Sequence, residues 1–355
     1  MNESGIGERL LVSVIMPTYN EARMIEGALR SLLNQEAPNF DLEILVVDGN
    51  SSDGTRRIVA QIAEADPRVR LLFNEKRRTP FAFNIGLREA RGTYVCILGA
   101  HTVYNQDYIS VCLNELRAHG AAGCTGRVIT RPANDTLQAQ LAAWVLSHPF
   151  GSSSKSFRTQ SEGFADIINF PVMLKKPMLE VGGYDEELAR NQDNDMNQKL
   201  RARGHKLYCT WKTHCIYHPK DRLLDLFQYA YRNGFWNVLS FKKNLFSLGI
   251  HHLVPFFFLI GFVFSLGLAI SGLFTPQPYR SLLAVPYIVV LGLHLGAGWL
   301  SALQVSIREK SPRALLLPLV FLAFHLAYGF GTFSAFVTNA KLPASTPERL
   351  AAAKG

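Results

Sequence analysis

The last third of the chain holds three stretches without a formal charge: His252 to Phe274, Ser281 to Leu303 and Ala314 to Val337. At about 1.5 Å per helical residue, the first stretch reaches roughly 35 Å, enough for a hydrocarbon core of about 30 Å. Helices in a water-soluble core seldom run so far uncharged. Three transmembrane helices are therefore predicted over 252–274, 281–303 and 314–337, and the polar chemistry must sit ahead of them. Pro255, Pro286 and Pro318 fall near the expected helix starts, where proline is tolerated. His294 and His325 fall in mid-span. An ionisable group there is by default functional, yet a neutral histidine bonded to a neighbouring helix fits equally, and no role is assigned. Lys242 and Lys243 precede the first span, Arg280 alone separates the first two, and Arg308, Lys310 and Arg313 follow the second. By the positive-inside rule this is a multi-pass protein of the inner membrane, with the region before the spans in the cytoplasm. The tail with Lys341, Arg349 and Lys354 is basic too, which leaves a re-entrant hairpin open for the third stretch. Met1 to Arg9 is polar, so insertion is assigned to the first span.

Ahead of the spans the pattern changes. Leu10 to Met16 is a short apolar run rich in β-branched residues, which reads as a buried parallel strand. Pro17-Thr18-Tyr19-Asn20-Glu21 ends it. Ala22 to Asn34 then places Ile25, Leu29, Leu32 and Leu33 on one helical face. Leu42 to Val47 is a second strand, ending at Asp48 in a polar turn that feeds a helix from Arg56 to Ala65. A third strand, Arg68 to Phe73, leads to the basic turn Lys76-Arg77-Arg78 and a helix, Phe81 to Ala90, carrying Asn84 and Gly86. A fourth strand, Thr93 to Leu98, ends at Gly99-Ala100-His101. Strand and helix in alternation with short links predict a doubly wound α/β sheet. In such sheets ligands bind beyond the carboxyl ends of the strands, where Thr18 to Glu21 and Asp48 both fall. Turn chemistry alone would account for either polar turn. Two at the ends of two strands of one sheet favour a nucleotide site, and the three cations on the same edge suit a diphosphate.

Further on, the glycine turn Gly182-Gly183-Tyr184-Asp185-Glu186 precedes Gln192-Asp193-Asn194-Asp195-Met196 and a basic helix, Gln198 to Arg203. A carboxylate at a helix start can act as a general base when aimed into a cleft. It can equally be a solvated acid offsetting the helix dipole.

Together these pieces resemble the family-2 glycosyltransferases of the GT-A fold, and among them a membrane-bound subset of the succinoglycan-glucosyltransferase type. The matching segments are Val14 to Glu21, Asp48 to Thr55, Asn84-Ile85-Gly86, Ala90 to Tyr94, Gly182 to Glu186 and Gln192 to Asp195, within roughly residues 10–240. The resemblance implies a GT-A catalytic domain and inverting transfer from a nucleotide sugar, UDP by default. It implies that Pro17, Thr18, Tyr19, Glu21, Asp48, Arg78, Asn84, Ala100 and His101 bind the donor. Gly183, Tyr184, Asp185 and Gln192 would border the sugar and acceptor, and Asp193 would be the base, matching the second residue of the family's Glu-Asp pair.

One departure matters. The family normally ends the fourth strand with Asp-x-Asp, whose carboxylates meet the ribose and a divalent cation, Mn²⁺ or Mg²⁺. Here Gly99-Ala100-His101 has neither carboxylate. A lone imidazole suits Mn²⁺ better than the oxygen-seeking Mg²⁺. Three readings stay open. His101, with His218 as a second candidate, ligates the cation alongside diphosphate oxygens; or Lys76, Arg77, Arg78 and His101 neutralise the leaving group without metal; or the chain keeps only donor binding, as a catalytically impaired scaffold in a polysaccharide assembly complex.

Between sheet and spans, Leu223 to Leu248 mixes Phe227, Tyr231, Phe235 and Trp236 with cations, which suits a helix lying in the membrane surface. The basic bias around it would attract anionic lipid and a lipid-linked, polyprenyl-diphosphate glycan acceptor. Gln228, Arg232 and Trp236 resemble a segment of the membrane-bound relatives. They lack the Gln-x-x-Arg-Trp spacing of processive synthases, so addition of one sugar per visit is expected. The predicted division is a sugar-transfer domain over 1–221, an interfacial segment over 222–250, a membrane domain over 251–338 and a tail over 339–355. The net charge of +9 would also suit a nucleic-acid binder, but the chain holds no such motif, and no nucleic acid is expected as partner. Five cysteines without close pairing read as free, buried thiols. Ser152 to Ser156 reads as a mobile loop.

Overall fold

The computed structural model describes residues 9–154, 156–188, 190–243 and 250–338. The predicted tail over 339–355 lies outside them. The described chain forms two compact units. One takes residues 9–129 and 160–217, the other 130–159 and 218–338, a grouping that the division at 221 does not contain.

The first unit is built on a nine-stranded mixed sheet. Its strands are β1 (Leu10–Thr18), β2 (Phe40–Asp48), β3 (Val69–Phe73), β4 (Tyr94–Ile97), β5 (Thr102–Tyr104), β6 (Gly123–Thr130), β7 (Gly163–Phe164), β8 (Val172–Leu174) and β9 (Leu207–Tyr217). Their order is β3-β2-β1-β4-β8-β6-β9-β5, with β7 paired to β9. β3, β2, β1 and β4 run parallel. Val12 to Met16 are buried throughout, as a strand covered on both faces requires. The helix Ile25–Leu33 buries Ile25, Leu29 and Leu32 of the predicted stripe together with Ala28, while Leu33 is only half-buried. It starts later than Ala22, because Met24 and Ile25 donate back to the carbonyl of Glu21 and close a turn there. A second helix, Thr79–Glu89, packs Ala82, Phe83 and Leu87 onto Ile15, Leu45 and Val47. Truncating any of these large core side chains to Ala costs about 2–5 kcal/mol.

Strand order decides where a ligand fits. The chain leaves β1 toward β2 on one side and returns to β4 on the other. The carboxyl ends of β1 and β4 therefore flank the switch point of the sheet, where a crevice forms. The register puts Thr18 opposite Asp48 and Ile15 opposite Ile97, so both polar turns and Gly99-Ala100-His101 share that edge.

The second unit holds three helices long and apolar enough to cross a membrane: Val254–Gly272, Tyr279–Glu309 and a stretch from Pro312 whose α-helix is Leu317–Val337. The third is one continuous helix, not a re-entrant hairpin, since Pro318 lies in its first turn and costs no internal bond. Pro286 lies inside the second helix rather than near its start. His294 and His325 bond to each other at 3.0 Å, and the second ring nitrogen of His325 meets the carbonyl of Phe150. The helix Leu223–Lys243 is not a lone surface element: it lies against Leu317–Val337 with backbone touching backbone. A Cβ at Gly331 would lie 2.0 Å from the carbonyl oxygen of Tyr231, and one at Gly234 would lie 2.1 Å from that of Tyr328. Only glycine allows that approach. The predicted mobile loop begins as the end of a short helix, Pro149–Ser152, and Thr159 ties back to the carbonyl of Ser153 at 2.6 Å.

Candidate active site

The crevice has two poles. The first is the double turn beyond β1 and β2. Asn20 and Asn50 take left-handed backbone, at φ 55° and 64°, which asparagine tolerates better than most residues. The two turns are laced together. Ser51 Oγ accepts from the Asn20 amide at 2.9 Å, Asn20 Oδ1 from Ser52 N at 2.9 Å, and Asp53 Oδ2 from Ala22 N at 3.0 Å. Asp48 is buried and accepts from Ser51 N and Ser51 Oγ at 2.9 and 2.5 Å. Thr18 Oγ1 and Arg56 Nε stand 3.5 and 3.9 Å from its oxygens. Pro17 is half-buried and Tyr19 is exposed, open to stack on a flat ring. The basic turn adjoins: the Cα of Arg77 lies 3.6 Å from where a Cβ on Gly49 would sit. Arg78 reaches the other way, donating to the carbonyl of Glu187 at 3.2 Å.

Beyond β4, Ala100 is buried, and the half-exposed His101 holds Nδ1 3.6 Å from Glu21 Oε1, its ring edge-on to Tyr217. Among the described residues no group of three metal-binding side chains occurs. The donors here are one imidazole and one carboxylate. That pair suits Mn²⁺ when a ligand brings further oxygens. His218 lies in the second unit, where its Nδ1 meets the carbonyl of Pro132 at 3.1 Å.

The second pole is the helix Gln192–Ala202, opened by Asn191 at φ 63°. Asp193 is its second residue. Burial pushes the Asp193 carboxyl up to about 6, against a lowering hydrogen bond from Asn169 Nδ2 at 3.0 Å. Such a carboxylate is charged at neutral pH yet basic enough to take a proton, the balance a general base needs. Gln192 Oε1 is buried without a hydrogen-bond partner among the described residues. The preceding turn is fixed by Asn84, whose Oδ1 accepts from Tyr184 N at 2.9 Å and whose Nδ2 donates to Tyr184 O and Glu186 Oε1 at 2.8 and 2.9 Å. Asn84, expected at the donor, thus spends its amide on the glycine turn. A Cβ at Gly183, where φ is 72°, would lie 2.8 Å from Asn84 Oδ1, so the turn admits only glycine there. Tyr184 is buried against Phe83, and Asp185 Oδ1 caps Glu187 N at 3.0 Å. Gln228, Arg232 and Trp236 share one face of Leu223–Lys243 at four-residue spacing, the first two exposed.

Two residues escaped the sequence reading. Asn169 and Phe170 lie in the apolar run Ile167 to Val172 that enters β8. The signal was an amide in a run that otherwise reads as strand. Phe170 joins the poles: its neighbour Asn169 holds Asp193, while its own Cε1 stands 3.0 Å from where a Cβ on Gly99 would sit.

Residues 13–181 match the profile described as "Glycosyl transferase family 2". The succinoglycan biosynthesis protein ExoA of Rhizobium meliloti is 26% identical, the match covering 90% of this chain and 92% of that one. A dolichyl N-acetyl-alpha-D-glucosaminyl phosphate 3-beta-D-2,3-diacetamido-2,3-dideoxy-beta-D-glucuronosyltransferase of Methanococcus voltae is 25% identical, over 92% and 97%. Among solved structures, the mannosyltransferase PcManGT of Pyrobaculum calidifontis, in complex with GDP-Man and Mn²⁺, aligns with a TM-score of 0.56 at 18% identity. That alignment covers 94% of this chain and 89% of that one, and it bears out the GT-A fold.

Proposed function

We propose, from the premise that this chain is a family-2 glycosyltransferase resembling ExoA, that it transfers a sugar with inversion from a nucleotide sugar to a lipid-linked glycan at a membrane. It adds one residue per visit in exopolysaccharide or related glycan assembly. The observation that carries this reading is the half-buried Asp193 carboxylate in the first turn of its helix, held by Asn169 Nδ2 at 3.0 Å. The acceptor hydroxyl attacks the anomeric carbon from the face opposite the nucleoside diphosphate, and Asp193 takes its proton. The diphosphate leaves as a good anion, so no protein acid is required.

The double turn would hold base and ribose, with Tyr19 stacking and Glu21 and Asp48 as acceptors. Asp48 then exchanges a bond from Ser51 for one from the base. The basic turn would meet the diphosphate. A divalent cation, Mn²⁺ by the donor set, would be held by His101 beside Glu21 and would offset charge on the leaving group. A UDP donor rests on the family default alone. One relative above is named for a dolichyl-linked sugar phosphate and another for succinoglycan biosynthesis; the first supports a lipid-linked acceptor, with Gln228, Arg232 and Trp236 at the membrane face. The basic flanks of the spans support a cytoplasmic sheet unit and an inner-membrane location.

The scaffold alternative has one observation in its favour, the aromatic ring against Gly99. Detergent-purified protein, screened against a panel of nucleotide sugars for nucleoside-diphosphate release, separates the two. Slow release from one donor, lost in Asp193→Asn, supports transfer. Donor-induced thermal stabilisation with no release from any donor supports the scaffold.

A further inference from the structure

We propose that Asn169 is a positioning residue for the base: its carboxamide holds the Asp193 carboxylate in one orientation and in its charged form. The inference rests on Asp193 as general base and adds how that base is kept competent.

The segment Ile168-Asn169-Phe170 is fixed at three successive carbonyls. Ile168 O accepts from Asn197 Nδ2 at 3.0 Å, Asn169 O from Thr125 Oγ1 at 2.6 Å, and Phe170 O from Tyr108 Oη at 2.8 Å. Thr125 and Tyr108 are themselves buried and linked at 3.2 Å. Asn197 stands four residues after Asp193 on one helix face. Helix and segment therefore exchange two amide bonds: Asn197 gives to the segment, and Asn169 gives to Asp193 Oδ2 at 3.0 Å. Phe170 adopts φ 57°, a left-handed conformation that an aromatic residue rarely takes. So much constraint on a loop residue marks a position held for geometry.

The electrostatics agree. Asp193 is half-buried, and the loss of water around it disfavours its charged form. A neutral donor to the carboxylate opposes that without adding a charge. Tyr184, Asp195 and Lys199, ionisable neighbours among the described residues, are engaged otherwise. Tyr184, on the glycine turn, is kept neutral by its own burial. On the same helix Asp195 and Lys199 pair with each other at 2.6 Å. The segment Ile168-Asn169-Phe170 itself carries no charge.

The test reads the carboxyl directly. Infrared difference spectra between the parent and Asp193→Asn, recorded against pH on the full chain in detergent, isolate the Asp193 carboxyl stretch. In the parent we expect its midpoint at about 6. In Asn169→Leu we expect that midpoint to rise by about one to two pH units, the worth of one hydrogen bond to a charged group. Asn169→Asp, which changes only the amide nitrogen, raises it further, because two carboxyls at bonding distance share a proton. The acid limb of the kcat profile follows in both, while the donor KM stays nearly unchanged. An unmoved midpoint in folded Asn169→Leu or Asn169→Asp overturns the inference, whatever happens to the rate. A midpoint that moves as expected while the acid limb does not follow supports the role of Asn169 and instead removes Asp193 as base. If Asn169→Leu does not fold, the near-isosteric Asn169→Asp decides alone.

Discussion

The two poles of the crevice solve the same problem with opposite materials. At the pole proposed for the base, the half-buried Asp193 carboxylate is held by directed bonds. Asn84 ties the glycine turn, Asn197 ties the helix, and Asn169 ties Asp193. At the leaving-group pole the expected carboxylates are gone, Phe170 stands where one would begin, and His101 beside Glu21 is the remaining donor pair. Burial and a neutral amide tune one pole; partial exposure and cations serve the other. A site held by directed bonds transmits a change in one partner to the next, whereas an open site of weak donors is sensitive to what the substrate brings with it.

The sharpest break of this contrast is Asp193→Asn. It should retain donor binding by thermal shift and lose turnover by about 10²–10⁴-fold, the usual worth of a general base. Near-normal turnover would remove the base pole altogether. Next in size is the other pole. Chelation with EDTA should suppress turnover and Mn²⁺ restore it, and His101→Ala should weaken the apparent affinity for Mn²⁺ by about 10–100-fold. Full activity in chelator would leave the cations of the basic turn as the sole stabilisers there.

The two poles were not equally legible in sequence. Asp193 could be singled out because a glycine turn followed by acids at a helix start is a local pattern. The double turn was legible because polar residues ending two apolar strands must share a sheet edge. Asn84 could be placed but not its bonds: spacing puts it on the helix Thr79–Glu89, and only tertiary packing turns its amide toward Tyr184. Asn169 and Phe170 were missed because their roles arise from contacts with residues more than twenty positions away, among them Asp193 and Gly99. In the membrane unit, length and composition sufficed for the spans. The docking of Leu223–Lys243 onto the last helix depends on Gly234 and Gly331 meeting backbone, which no hydropathy pattern encodes.

The cost of desolvating Asp193 gives a third, smaller effect. Its carboxyl is pushed up to about 6 in the folded chain, against about 3.9 for an unperturbed Asp, so the native state binds the proton more tightly. Stability is therefore gained as pH falls from about 6 to 4 and lost as it rises through 6. Above that window the parent bears a penalty of about 3 kcal/mol, order of magnitude, that Asp193→Asn escapes. The Asn variant should melt higher than the parent at pH 7, and the gap should close by about pH 4. A gap independent of pH would mean that the carboxylate is not buried at a cost.

The smallest expected effect probes whether the leaving-group pole could be returned to a carboxylate. Gly99→Asp places a Cβ 3.0 Å from Phe170 Cε1, and the rest of the side chain needs more room still. Overpacking of that kind costs about 1–3 kcal/mol, so the variant should melt lower and gain no tighter hold on Mn²⁺. Phe170→Ala in the same chain removes the obstruction. The double variant should recover part of the loss, a non-additivity expected only of residues in contact, and should bind Mn²⁺ more tightly than the parent. If Gly99→Asp alone is as stable as the parent and already binds the ion more tightly, the ring does not guard that position, and the contrast between the poles reduces to a single missing side chain.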